Sequence, residues 1–159
     1  MKKFLAVILA VLGVAAASIG LAEESAMEAG TPLSLTSPSA ILCEASTGRV
    51  IFEKNADERR PVASVNKVMT ILLTLEAIDD GRVTVSDRVT VSPRAASMGG
   101  SQAFLDAGER YKLSELLKTV IVASANDSAV ALAEHLAGTE ESFVRLMNTR
   151  AEELGLTNT

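Results

Sequence analysis

Ser64 and Lys67 stand three residues apart in PVASVNKVMT, at the head of a segment whose apolar residues recur with helical spacing. A serine hydroxyl is a poor nucleophile at neutral pH until a neighbouring base takes its proton. On a helix, a lysine at i+3 lies over the same face as residue i and within reach of that hydroxyl. To act as the base it must be neutral, which requires desolvation or a second cation nearby. Val65, Val68 and Met69 supply apolar bulk around Lys67. On spacing alone the same residues also describe an N-cap serine and a solvated lysine opening an ordinary amphipathic helix.

A second polar pair lies about sixty residues on, where ASANDS places Ser124 and Asn126 at the end of the most hydrophobic helical stretch. Polar groups that follow a buried segment tend to face a cleft. Ser124 has the chemistry to relay a proton to a leaving amine, and Asn126 the donor and acceptor to hold a substrate amide. The competing reading is a helix break, with Asn126 or Asp127 capping the next helix. His135 is the only histidine, so neither a Ser-His-Asp triad nor a histidine-rich metal site can be assembled. It reads as a partly exposed helix residue, and Asp79, Asp80 and Asp87 read as turn residues.

The elements that must position these groups follow from pattern. MKKFLAVILAVLGVAAASIGLA has the basic start, apolar run and small residues of a secretory signal peptide, with cleavage expected after Ala22. An uncleaved anchor is the competing reading, since the run from Phe4 is about 19 residues long; either way the rest lies outside the cytoplasm. Losing Lys2 and Lys3 takes the formal charge from −5 to −7, and such an acidic chain offers nothing to nucleic acid. Residues 23–38, with two prolines, read as a linker. SAILCEASTGRVIFEKN reads as a β-hairpin, with the single cysteine, Cys43, as a small buried residue in a strand.

From Val65 onward, Val68, Met69, Leu72, Leu75 and Ile78 predict one wide buried face on a helix ended by Gly81. RVTVSDRVTVSP predicts two small edge strands around a turn at Ser86 and Asp87. RAASMGGSQAFLDAGER reads as a loop near a site, without the glycine spacing or lysine of a phosphate cradle. KLSELLKTVIVASAN predicts a helix with Leu113, Leu116, Leu117, Val120 and Ile121 on one face. Its run from Val120 to Ala125 is apolar all round, which predicts that it crosses the centre of the domain. Two further helices follow, the first stopped by Gly138 and the second capped by Thr139, with Glu140 and Glu141 in its first turn.

Ser64-Val65-Asn66-Lys67 and Ser124-Ala125-Asn126 resemble the first two of the three motifs, S-x-x-K, S-x-N and K-T-G, of the penicillin-binding serine acyltransferases. The flanks SAILCEASTGRVIFEKNADERRPVASVNKVMT, ASMGGSQAFLDAGERYKLSELLKTVIVASANDSAVALAEHLAG and EELGLTNT are similar to low-molecular-weight D-alanyl-D-alanine carboxypeptidases. The resemblance covers nearly all of residues 39–159. It implies an α+β fold of the β-lactamase and penicillin-binding transpeptidase type, with helices on an antiparallel sheet. It implies Ser64 as nucleophile, Lys67 as general base, Ser124 as proton relay and Asn126 as a substrate contact, with no metal or cofactor. The implied substrate is a peptidoglycan stem peptide ending in D-Ala-D-Ala, with β-lactams acylating the same serine at the outer face of the cytoplasmic membrane or in the periplasm.

No Lys-Thr-Gly occurs in the 159 residues. In the family that strand carries a cation and an oxyanion donor, one of the larger catalytic contributions. Residues 39–159 are therefore expected to be the N-terminal part of a catalytic domain, lacking the later strands of its sheet and any C-terminal membrane-anchoring segment. A class A β-lactamase shares both motifs and is the alternative enzyme, though the flanks argue against it. A non-catalytic truncated remnant is the alternative outside enzymes.

Overall fold

The structure is a computed structural model that describes residues 33–157 and Thr159. The expected signal peptide, residues 1–22, and most of the expected linker lie outside the described residues. The chain divides into two compact units, Met1–Lys54 and Asn55–Thr159. Among the described residues, no helix is long and apolar enough to cross a membrane.

In the first unit, the hairpin forms as the alternating pattern predicts. Strand β1 (Ala40–Cys43) pairs antiparallel with β2 (Val50–Lys54), Ala40 facing Lys54 and Leu42 facing Phe52, with a register shift between Leu42 and Cys43. The Lys54 ammonium donates to the Leu35 and Ser37 carbonyls at 2.8 and 2.9 Å, tying the preceding segment to the hairpin. Cys43 is exposed rather than buried, a correction to the sequence reading. Strand membership puts a side chain on one face or the other, and does not say that the face is covered.

The second unit is a helical assembly with one small ladder. A 3₁₀ turn, Ala63–Asn66, runs into α1 (Lys67–Asp79). Strand β3 (Arg88–Thr90) pairs antiparallel with β4 (Arg110–Lys112), Val89 opposite Tyr111. Between them lie the short α2 (Pro93–Ala96) and a long loop, and after them come α3 (Leu113–Ala123), α4 (Asn126–Ala137) and α5 (Glu140–Glu153). The ends are built as expected: Gly81 and Gly138 follow α1 and α4 with φ of +70° and +81°. Thr139 caps α5 by accepting the Ser142 N–H at 3.1 Å.

Helix α4, not α3, is the centre. It packs against α1, α2, α3, α5 and β3, and Val130, Ala131, Leu132 and Ala133 are buried in succession. Three alanines among its first eight residues let neighbours approach from several sides. Helix α3 instead lies on one face, with Leu113, Leu116, Leu117 and Val120 buried but Ile121 and Val122 56% and 86% exposed. Hydropathy overstated its depth.

The buried stripe of α1 also differs from the one expected. Lys67, Thr70, Leu73, Thr74 and Ala77 face inward, while Val68 and Leu75 are exposed. Apolar residues occur all round this helix, so periodicity does not select a stripe. The buried threonine is affordable because the Thr74 hydroxyl donates to the Thr70 carbonyl within the helix at 2.7 Å. The two expected edge strands reduce to one, because Thr84 and Asp87 close a turn through side-chain bonds before β3 begins.

Two apolar clusters hold the unit together. The larger joins Val89, Val91, Leu113, Leu116, Leu117 and Leu132. The smaller joins Leu73 of α1, Ala133 of α4 and Phe143 of α5. Burying one such leucine contributes roughly 1.5–3 kcal/mol.

Candidate active site

Ser64 lies in the 3₁₀ turn and Lys67 is the first residue of α1. In 3₁₀ geometry residues i and i+3 stack over one another, so the spacing brings the two side chains together. The Lys67 ammonium donates to the Ser64 hydroxyl at 3.2 Å. Lys67 is 9% exposed, whereas Ser64 is open to solvent. The residue before α1 is Asn66, which makes no side-chain capping bond, so Ser64 is not the cap of an ordinary helix, nor is Lys67 a solvated surface lysine. Ala63, immediately before the serine, has φ of +44°, a left-handed conformation uncommon for a residue with a Cβ.

Ser124 and Asn126 sit in the tight connection between α3 and α4. Ser124 ends α3 in the left-handed region, φ 54° and ψ 36°, and the Ala125 N–H reaches back to the Thr119 carbonyl at 3.2 Å. Asn126 opens α4. Its side-chain amide donates to the Gly99 carbonyl at 2.6 Å and its backbone N–H to the Ser101 carbonyl at 2.7 Å. Neither Asn126 nor Asp127 stands at the N-cap position of α4, which Ala125 occupies. Gly100 has φ of +80°, and a Cβ there would stand 2.9 Å from the Asn126 amide nitrogen, so the loop needs glycine at that point.

Lys67 and Asn126 line one cavity of about 330 Å³, walled also by Met98, Glu140, Phe143 and Met147. Glu140 in turn accepts from Arg94 of α2 at 2.9 Å, and that hydrogen bond and charge hold the Arg94 guanidinium still more firmly protonated. Ser64 and Ser124 are not among the residues lining the cavity. Among the described residues no hydrogen bond joins the Ser124 side chain to Ser64 or Lys67. The structure therefore joins Ser64 to Lys67 and sets Lys67 and Asn126 on a common wall, while Ser124 is fixed by its backbone.

One residue of this region was not singled out by sequence reasoning beyond a possible cap. Asp127 is buried, 1% exposed, and its carboxylate accepts from the backbone of the loop after Gly99. A charged residue directly after S-x-N, followed by Ser128 and then the apolar run of residues 129–133, was the available signal.

Comparison with known proteins bears directly on this arrangement. The model of the D-alanyl-D-alanine carboxypeptidase family matches residues 25–159. The D-alanyl-D-alanine carboxypeptidase DacF of Bacillus subtilis is 52% identical over 121 residues, which are 76% of this chain and 31% of that protein. DacC of Escherichia coli is 41% identical over 125 residues, which are 75% of this chain and 31% of the relative. The chain thus spans about a third of the length of the curated relatives it matches. Among solved structures, DacD from Francisella tularensis superposes with a TM-score of 0.81 at 34% identity, covering 89% of this chain and 34% of the other. Penicillin-binding protein 5 from Haemophilus influenzae superposes with a TM-score of 0.78 at 34% identity, covering 81% and 38%. The α+β fold is accordingly that of the penicillin-binding proteins. With its helices, its small ladder and its matched residues all in agreement, the chain belongs to the D-alanyl-D-alanine carboxypeptidase family.

Proposed function

We propose that residues 39–159 are the N-terminal part of the catalytic domain of a serine D-alanyl-D-alanine carboxypeptidase acting on peptidoglycan stem peptides. The observation that carries this reading is the 3.2 Å contact between the exposed Ser64 hydroxyl and the buried Lys67 side-chain nitrogen, on the wall that Asn126 shares. In the reaction, Lys67 as general base takes the Ser64 proton as the oxygen attacks the carbonyl between the two terminal D-alanines. The tetrahedral intermediate collapses with cleavage of the C–N bond, and the departing amine receives a proton through Ser124. Water then hydrolyses the ester, releasing the shortened peptide and restoring the serine. Asn126 holds the substrate amide, and β-lactams acylate Ser64 by the same first step. No metal or cofactor enters these steps.

The basic and apolar leader supports export, with Ala22 the last residue removed and the site in the periplasm or at the outer face of the cytoplasmic membrane. Any membrane attachment would run through a C-terminal segment outside these 159 residues. The family's Lys-Thr-Gly strand, which supplies a cation and an oxyanion donor, is likewise expected outside them.

The test uses the complete gene product, read through codon 159. Incubation with a pentapeptide ending in D-Ala-D-Ala should release free D-alanine, and fluorescent penicillin should label the protein covalently. Ser64→Ala should abolish both. Labelling that survives this substitution removes Ser64 as nucleophile, and rapid cephalosporin turnover without D-alanine release would convert the reading to a β-lactamase. A stop codon at 160 with neither activity would leave a non-catalytic remnant.

A further inference from the structure

We propose that Asp127 is a positioning residue for Asn126: its carboxylate fastens the loop of residues 99–105, and that loop holds the Asn126 amide in place. The assignment of consequence to catalysis rests on the reading of Asn126 as the substrate-amide contact.

Asp127 Oδ1 accepts from the Ala103 N–H at 3.0 Å and the Ser128 N–H at 2.8 Å. Oδ2 accepts from the Ala103 N–H at 3.0 Å and the Leu105 N–H at 3.2 Å. Both oxygens are thus committed to backbone donors, two of them on the loop, and bonds from a carboxylate to N–H groups are among the stronger ones. The neighbouring Ser128 hydroxyl lies 2.7 Å from that of Thr119, which carries the anchorage into α3 beside Ser124.

Phe104, between the two donors, shows what the anchorage withstands. It has φ of +58° and is 82% exposed, so a bulky residue is kept in a disfavoured backbone conformation with almost no packing to compensate it. Such a conformation persists only where the surroundings over-determine it, and here the flanking N–H groups of Ala103 and Leu105 are both held by one buried carboxylate. The same loop returns the constraint to the site through the Gly99 and Ser101 carbonyls, which receive the side-chain and backbone N–H groups of Asn126. The path runs from Asp127 through the loop to Asn126, although the two residues are adjacent in sequence.

Asp127→Asn tests this at constant shape, because one carboxylate oxygen becomes an NH₂ facing N–H donors. In the complete gene product it should raise the KM for the pentapeptide about tenfold and leave kcat within threefold. In an Asn126→Ala background it should add nothing further to KM. Additive effects in the double variant, or an unchanged KM in a folded single variant, would overturn the proposal. A second measurement needs no variant and no activity: amide hydrogen exchange of the native protein should find Ala103 and Leu105 protected like the core of α4, with Phe104 between them exchanging freely. Unprotected Ala103 and Leu105 would show that the anchor is absent. If the native protein releases no D-alanine and binds no penicillin, the functional reading of Asn126 fails, while protected loop amides would still establish the anchorage.

Discussion

The two sides of the site are held in opposite ways. On the nucleophile side, Ser64 is exposed, sits in a single 3₁₀ turn and has Lys67 as its one hydrogen-bond partner among the described residues. On the amide side, Asn126 and Asp127 are fastened to a loop by five hydrogen-bonding contacts from two carbonyls and two backbone N–H groups. The difference matches the roles proposed for each. A group that forms and loses a covalent bond has to be reachable, whereas a group that recognises a substrate gains by being aligned beforehand. Under the proposed roles, rigidity is concentrated at Asn126, where alignment matters, and the Ser64 oxygen is left with one changeable contact.

The sharpest way to break this comparison is to remove each side in turn. Lys67→Met should slow penicillin acylation of the complete gene product about 10³-fold, within the range expected for loss of a general base. Asn126→Ala should weaken it by only about tenfold, through binding; equal losses would erase the distinction between chemistry and recognition. Stability should divide along the same line. Leu132→Ala, in the large cluster under the amide side, is expected to cost about 4 kcal/mol in urea unfolding of the gene product. Leu73→Ala, in the small cluster that borders the cavity, should cost about 2–3 kcal/mol, where the site can relax. A larger loss at Leu73 would reverse the assignment of the better-packed side.

Backbone strain offers a finer test. Ser124→Gly and Ser124→Ala both delete the hydroxyl, but only glycine suits φ of 54°, so the glycine variant should be the more stable by about 0.5–1 kcal/mol. Equal stabilities would show that the turn is not strained. Smaller again is the tie between α1 and α5, where Arg150 Nε and Nη2 donate to Glu76 Oε1 at 3.0 and 2.9 Å. Its side chains are about a third exposed, and Arg150→Met should cost less than about 1 kcal/mol, with the loss shrinking in salt. The smallest effect belongs to Asp87. The Thr84 hydroxyl and then its backbone N–H hold that carboxyl below its ordinary range. The contribution is therefore complete above the unfolded value of about 3.9 and fades as pH falls through the lower folded value. Asp87→Asn should flatten the acid limb of a stability profile there and leave the neutral limb unchanged.

Much of this was legible where a local rule decides the outcome. The hairpin, the glycine stops at 81 and 138 and the Thr139 cap each follow from backbone requirements of one or two residues, and all appear where expected. The Ser64 and Lys67 contact follows from spacing, since any helical or 3₁₀ path brings i and i+3 together. What failed to show were features decided by distant partners. Thr70 and Thr74 outrank Val68 and Leu75 for burial because α4 happens to lie on that side. Arg110–Lys112 forms a strand because Val89 offers it a ladder, not because its composition suggests one. Asp127 looked like a cap until the loop it holds, more than twenty residues upstream, could be placed beside it.

The hairpin has a consequence of another kind. Ile41, Leu42, Val50 and Ile51 are between 47% and 59% exposed on a ribbon that, among the described residues, has only two strands. A two-stranded ribbon of this composition carries apolar side chains beside its edges, the combination that recruits further strands. Among the described residues, that ribbon is the surface best suited to accept another strand.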